Sequence, residues 1–490
     1  MTPDTPFSAT LSRPIWLEDA PLRPATKQPL PRRADLVIAG SGYTGLSAAV
    51  EAARGGMSVL VLDRGPIGAG CSTRNGGQLA SSIKPEFGAL SARHGDDLAR
   101  RIRAEGYAAL AHTEEMIAAN GIDCDWQKTG RYLAAHSPKQ YEGLEQWAEA
   151  RHRAGEPEIT LVPRAEQHLE LGSDRYFGGA ISPFNGAVHP AKLHAGLLRV
   201  AEASGVTVQG GREVTGIQRD GAGFLVQVGG ASVQARHVLI ATNGYSGPLS
   251  PWLQRRVIPI GSYMLATEEL PPALAATLIP QGRMVIDTRR VVIYFRMSPD
   301  GKRLIFGGRA ALMEADPAKS LPRLYQMMLD VFPQLAGTAV SHSWNGFVAY
   351  TFDELPHIGV QDGVHYCMGY CGSGISLSLY FGMRAGQQIL GRAEGATAGC
   401  ATGTAAGSAR CAGRAGAVCG AGAGATSVWA PNSHHGRTPI SASMALWRGL
   451  KRGRAGSRAA AASAAAASAL AGAAAGAGSV TGSGAPADAS

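Results

Sequence analysis

Residues 36–63 constrain the fold more than any other stretch. Leu36-Val37-Ile38-Ala39 is a short apolar run suited to a buried parallel strand. Gly40-Ser41-Gly42-Tyr43-Thr44-Gly45 follows at once and matches G-x-G-x-x-G. Behind it Leu46, Ala49, Val50 and Ala53 recur at helical spacing. Gly55-Gly56 stops that helix, and Val59-Leu60-Val61-Leu62 reads as a second strand closed by Asp63. Gly40 permits a tight turn, and Gly42 lets a pyrophosphate approach the amides at the positive helix terminus. Gly45 allows helix and strand to touch, and Asp63 accepts from ribose hydroxyls. With 65 glycines in 490 residues, the glycine pattern alone arises easily by chance. The strand, helix, second strand and terminal acid in the expected order make it a dinucleotide-binding unit. The unit does not separate FAD from NAD.

Later segments bear on that choice. Gly68 to Gln78 is a second glycine-rich loop that includes Ser72, Thr73, Arg74, Asn75, Gly76 and Gly77. Such a loop can pass close to a flat ring, and Arg74 can offset negative charge on a reduced flavin or a phosphate. Val206–Val208, Gly211–Gln218, Gly223–Val228 and Ser232–Gln234 read as strands. His237 to Ile240 is another apolar strand, ending in Ala241-Thr242-Asn243-Gly244. Near position 370, Gly369, Gly372 and Gly374 precede Ile375 and a helix from about Ser376 to Leu390, whose first amides can face a flavin carbonyl oxygen.

Together these segments resemble the FAD-dependent oxidoreductases of the D-amino-acid-oxidase superfamily, and within it the γ-glutamylputrescine oxidoreductase-like branch. The residues that carry the likeness are Gly40 to Gly45 with Asp63, Ser72 to Gln78, Gly186 to Pro190, and Ala241 to Tyr245. Phe306 to Arg309, Phe352 to Gly359, Gly369 to Gly374 and the early Trp16-Leu17 complete them. The likeness covers about residues 15–394. It implies an α/β (α+β overall) fold, with a Rossmann-like FAD-binding domain and a second, antiparallel-sheet substrate domain. The pieces expected are 34–88, 155–250 and 340–395 for the FAD domain and 89–154 and 251–339 for the substrate domain, after an extension at 1–33. The resemblance also implies the FAD contact set: the motif residues above together with Arg64, Val214, Thr242, Asn243 and Gly244. It implies oxidation of a C–N bond of an amine or amino acid by hydride transfer to flavin N5, with hydrolysis of the imine and reoxidation by dioxygen or another acceptor. FAD is expected to be non-covalent, since neither Cys71 nor Cys371 lies in an attachment motif. A glycine, sarcosine or D-amino-acid oxidase or dehydrogenase is the alternative within the family.

One departure bears on the substrate. In amino-acid-oxidising relatives an arginine commonly precedes the Thr of T-x-D-x-x-P-x-I-G by three residues and clamps the substrate carboxylate. Here that position is Val348. A bidentate clamp needs a guanidinium fork. The balance shifts from α-amino acids toward an amine or polyamine conjugate, with Arg296 as a possible clamp from another strand. Tyr294 and Arg296 alternate in Val291 to Arg296 and point to one sheet face, the expected substrate or flavin face. Tyr350 and Trp344 are expected to line an apolar pocket, and Tyr263 is a weaker candidate. His189 and His357, beside prolines, read as structural.

Seven cysteines, odd in number and widely scattered, argue against a disulfide scaffold and for a reducing cytoplasm. Cys367 and Cys371 lack a second ligand pair, so no metal site is expected. Residues 2–33 are polar and proline-rich, without the pattern of a signal peptide. No apolar run long enough for a membrane span is free of alanine dominance. The formal charge of +9 opens a different reading, binding to nucleic acid or an anionic surface. However, residues 396–490 hold 33 Ala and 17 Gly, with eight basic residues and the single acid Asp488, so most of the excess charge lies there. That composition predicts a disordered low-complexity tail, as a frameshift would produce. Resequencing the gene tests the frameshift. An NAD-dependent dehydrogenase explains the first motif but not the later segments.

Overall fold

The computed structural model describes residues 5–25, 28–157, 159–310 and 316–398. The tail on which the disorder and frameshift expectations bear lies almost wholly outside them. The first of two large sheets grows around the dinucleotide unit. Its parallel strands lie in the order Thr207–Gln209, Val59–Leu62, Arg33–Ala39, Ala231–Ile240 and Val364–Met368, with His357–Gln361 antiparallel at the edge. Arg33–Ala39 and Val59–Leu62 are apolar on both faces because both faces are covered. The separate strands read at 232–234 and 237–240 are one strand. Its first half pairs with Gly223–Val228 and its second half with Arg33–Ala39.

Helices cover one face of this sheet. Tyr43–Arg54 starts at Gly42 and ends at Gly55. It packs along Gly374–Ile389, where Gly382 and Gly386 bring the backbones close. A Cβ at Gly382 would stand 2.5 Å from Thr44 O, and one at Gly386 2.9 Å from Ala48 O. Ser47 Oγ donates to Leu379 O across the same contact. Asp96–Ala119 and Pro190–Ala203 complete the layer, and Leu46, Leu110, Leu197 and Phe381 are buried in one core.

The second sheet runs in the order Val340–Tyr350, Ile258–Thr267, Leu304–Gly308, Tyr294–Met297, Met284–Asp287, Arg131–Ala134, Gly179–Ser182 and Thr160–Val162. All pairs are antiparallel except Arg131–Ala134 beside Met284–Asp287. Helix Pro317–Val331 packs on its far face with Tyr263, Phe295 and Phe306. The hydrogen-bonding partners divide the chain differently from the sequence expectation in three places. Thr160–Val162 with Gly179–Ser182, and Val340–Tyr350, belong to this second sheet. Helix Asp96–Ala119 packs instead with the first. Long-range pairing decides these memberships, and local composition carries no trace of it.

Buried histidines give the fold a pH signature. Burial and the neighbouring His237 hold His365 down at about 4, and burial lowers His194 and His189. Between pH 6.5 and 4 the unfolded chain takes up protons that these folded sites refuse, so their contribution to stability falls as pH falls. Burial raises Glu105 to about 7, which acts oppositely: its folded form keeps a proton, favouring the fold at low pH. Melting temperatures from pH 7.5 to 4.5 should therefore fall more steeply for Glu105→Gln than for the parent, and less steeply for His365→Asn. Identical slopes in all three proteins would refute this assignment.

Candidate active site

Three glycines shape the cradle at the start of the first helix. Gly40 has φ +107°, and a Cβ there would lie 2.9 Å from Ala241 O. A Cβ at Gly45 would lie 2.0 Å from Gly40 O, and one at Gly42 2.9 Å from Ser72 Oγ. Asp63 closes the second strand and accepts through Oδ2 from Ser41 N at 3.0 Å and Ser41 Oγ at 2.6 Å. Its Oδ1 accepts from Gly65 N. The buried His194 lies with Nε2 2.7 Å from Ser41 O, and Ser72 Oγ accepts from Tyr43 N at 3.0 Å.

One cavity of about 830 Å³ runs from this cradle to the second sheet. Gly40, Gly42, Tyr43, Thr44, Asp63 and Arg64 line one end, and Val214, Thr242 and Asn243 flank it. Ser72, Arg74, Asn75, Gly76 and Gln78 form a wall, with Gly372, Gly374 and Ile375 opposite. That wall is held from inside. Asn75 Nδ2 donates to Cys71 O and Ser72 O, and its Oδ1 accepts from Gly77 N. Arg74 donates to Ala69 O and Asn345 O, and Gln78 Nε2 to Val285 O and Phe295 O. Asn243, at φ +45°, accepts from Gly369 N and joins two chain segments at the cavity.

The far wall is one face of the second sheet. Paired residues share a face and alternate residues repeat it. Tyr294 pairs with Gly307, Gly307 with Met264 and Met264 with Trp344; two residues along come Arg309, Ser262 and Gly346. Ile286 and Leu133 extend the Tyr294 row on the other side. Tyr294 lines the cavity with its hydroxyl 2.8 Å from Ser262 Oγ, and burial raises its pKa. Tyr350 lines it as well, accepting from Arg309 Nη2 at 2.9 Å.

Other expected site residues stand behind the cavity. Arg296 shares the face of Tyr294, yet its guanidinium does not line the cavity. It donates to Gly77 O, Val188 O and Met297 O and is only 3% exposed. A substrate clamp needs that fork free, so Arg296 is a tie between the Ser72–Gln78 loop and the sheet. Gly77, at φ +69°, lies against it, where a Cβ would stand 2.2 Å from Val188 O. Gly45 and Gly369 serve close packing, and Gly244 sits near Phe347 and Ala349 outside the lining. Tyr263 faces the opposite core. Trp344 is buried and donates from Nε1 to Arg74 O. Both thiols at the cavity are held: Cys71 Sγ donates to Phe347 O and Cys371 Sγ to Gly369 O. Burial raises both, Cys371 to about 11.

Sequence reasoning gave no role to two arginines of this wall. Arg309 follows Phe306-Gly307-Gly308, and alternation from Gly307 was the signal available for it. Arg131 lines the cavity from a strand that becomes its neighbour only through pairing with Met284–Asp287.

The cradle fits a dinucleotide on its own geometry: Gly40 and Gly42 line it without side chains, Gly45 lets the helix close on the Gly40 turn, and Asp63 stands at its rim. Residues 35–388 match the family described as FAD dependent oxidoreductase, DAO. The chain is 32% identical over 367 residues to the γ-glutamylputrescine oxidoreductase of Escherichia coli (strain K12), covering 74% of this chain and 84% of that protein. It is 25% identical over 361 residues to the glycine oxidase of Geobacillus kaustophilus (strain HTA426), covering 72% and 91%. The crystal structure of a glycine oxidase from Geobacillus kaustophilus shares the fold, with a TM-score of 0.63 at 22% identity over 74% of this chain and 96% of that one. The L-proline dehydrogenase of P. horikoshii does so with a TM-score of 0.62 at 18% identity over 74% and 94%. With a cradle, a cavity and a matching family that agree, the chain belongs to the DAO family of FAD-dependent oxidoreductases, acting on amines or amino acids.

Proposed function

We propose that the protein oxidises the terminal amine of a polyamine conjugate, in the manner of γ-glutamylputrescine, with non-covalent FAD held by the cradle and the Ser72–Gln78 loop. The carrying observation is the continuous cavity that joins the dinucleotide cradle to a sheet face bearing Tyr294, Arg309 and Tyr350 but no acid. Bound FAD supplies the hydride acceptor for the carbon that carries the amine. The chain supplies position, exclusion of water and charge. Tyr294 and Ser262 present hydroxyls, and Val348 stands where a carboxylate clamp for an α-amino acid would need arginine. The buried thiols, hydrogen-bonded and kept neutral, are poor nucleophiles, in keeping with non-covalent FAD.

Arg309 has a direct electrostatic consequence. An amine must be unprotonated when its carbon loses hydride, and a fixed cation in the same cavity disfavours the ammonium form. Removing that cation raises the pKa of the bound amine. For Arg309→Gln the acid limb of limiting anaerobic flavin reduction should move to higher pH by about one unit, equivalent to about 1.4 kcal/mol. An unmoved limb would rule Arg309 out of this role. The substrate class is tested by anaerobic flavin bleaching across polyamines, γ-glutamyl amines, sarcosine, glycine and D-amino acids. Bleaching by glycine or D-amino acids in preference to the conjugates would overturn the reading.

A further inference from the structure

Most arginines near the cavity have partners. Arg74 and Arg296 hold main-chain carbonyls, and Arg309 donates to Tyr350. Arg131 differs. It lines the cavity, its Nε is covered by protein, and among the described residues it makes no hydrogen bond or ion pair. Burial and the nearby Arg151 lower its pKa to about 10. The residue is partly exposed at the cavity wall, and a cation there with no hydrogen-bonding protein partner can take its counter-charge from a ligand.

Its surroundings supply that counter-charge only in part: Glu86 lies near enough to favour its charge, and Glu86 is shared with Arg103. Glu156 is committed: it accepts from Arg103 and from the Tyr107 hydroxyl, and it pairs with Arg151 at 2.8 Å. Arg151 also donates to Tyr107. Glu86 is about half exposed and lies 3.8 Å from Arg103. Three arginines, Arg103, Arg131 and Arg151, therefore face two carboxylates, which leaves one positive charge beside the cavity. A single planar fork with Glu86 nearby suits a monoanionic carboxylate better than a dianionic phosphate.

Register gives the spacing. Arg131 pairs with Met284 and Leu133 with Ile286, which pairs with Tyr294. Two strand spacings and one two-residue step separate the Cα atoms of Arg131 and Tyr294 by roughly 12 Å. An extended chain of about ten bonds spans that distance, at ~3.5 Å per three bonds.

We propose that Arg131 receives the carboxylate at the far end of an elongated amine substrate whose amine-bearing carbon lies at the Tyr294–Tyr350 face. The inference rests on the amine-oxidase reading of the same cavity and adds the length and charge of its substrate. An α-amino acid is too short to span both points. Removing Arg131 deletes a recognition contact and leaves the cradle intact.

The test uses the holoenzyme and two kinds of probe. The first is a series of straight-chain ω-amino carboxylates of increasing length beside n-alkylamines of matched length, assayed by anaerobic flavin reduction. The parent protein should prefer the carboxylates, with an optimum near ten bonds. Arg131→Gln and Arg131→Met should lose that preference by about 30- to 100-fold in kcat/KM, mostly through KM, with alkylamine kcat/KM changing far less and Arg131→Lys partly restoring the preference. The second probe is octanoate, titrated calorimetrically, which should bind the parent and bind Arg131→Gln at least tenfold more weakly. Because no partner is lost, the melting temperature of Arg131→Met should be no lower than that of the parent. Equal octanoate affinity in parent and variant, no octanoate binding by the parent, or a carboxylate preference that survives Arg131→Gln overturns the proposal. If no amine reduces the flavin while octanoate binding still depends on Arg131, the carboxylate site stands and the amine-oxidase reading falls.

Discussion

Gly45→Ala protein should be purified without visible flavin absorbance. The new Cβ would lie 2.0 Å from Gly40 O, a main-chain atom that cannot turn aside as a side chain can. Relief requires the helix Tyr43–Arg54 to move away from the strand Arg33–Ala39 or the Gly40 turn to open, and either displaces the amides of the cradle. A cost of about 3 kcal/mol is expected for such overpacking, and each ~1.4 kcal/mol is a tenfold loss of affinity. FAD binding should therefore weaken by about 100-fold, read from the flavin-to-protein ratio after dialysis. Gly56→Ala is the control. Its φ of +87° strains a side chain, but a Cβ there meets nothing within 4 Å. It should cost about 1 kcal/mol of stability and leave flavin content intact. Full flavin in Gly45→Ala would mean that the close approach of Gly40 and Gly45 does not set the cradle.

Arg296→Met separates a tie from a catalyst. The parent guanidinium satisfies three carbonyls, those of Gly77, Val188 and Met297, in a place only 3% exposed. Methionine fills part of the volume and donates nothing, so Val188 O and Met297 O lose this donor, at about 1–3 kcal/mol for each acceptor left unsatisfied, while Gly77 O keeps Val188 N. The melting temperature should fall by several degrees, and flavin should be retained more weakly because Gly77 belongs to the loop beside the cradle. Flavin-loaded protein that survives should keep the parent pH profile and substrate preference. A catalytic Arg296 would give the opposite result, an unchanged melting temperature with a collapsed rate of flavin reduction.

Much of the site is legible locally. The turn at Gly40, the close approach at Gly45 and the acid at Asp63 are written within about 30 consecutive residues, because the βαβ unit is a short-range structure. Alternation correctly put Tyr294 and Arg296 on one face. It did not tell which of the two reaches the cavity, since the carbonyls of Gly77 and Val188 come from distant segments. Arg309 was present in a quoted motif without a role, and its bond to Tyr350 reaches across the strand Ile258–Thr267, which joins the two flanking strands only in the fold.

The sequence by itself determined the dinucleotide unit, the family and the absence of arginine at 348, because each depends on residue identity at fixed local spacing. Only the tertiary structure decided the membership of the second sheet, the structural use of Arg296 and the exposure of Arg131 to the cavity. The pairing that places Arg131 joins strands about 150 residues apart, beside Met284–Asp287. No periodicity within either strand encodes that partner. It follows from burial of both strands in a common sheet, a property of the whole chain rather than of any segment.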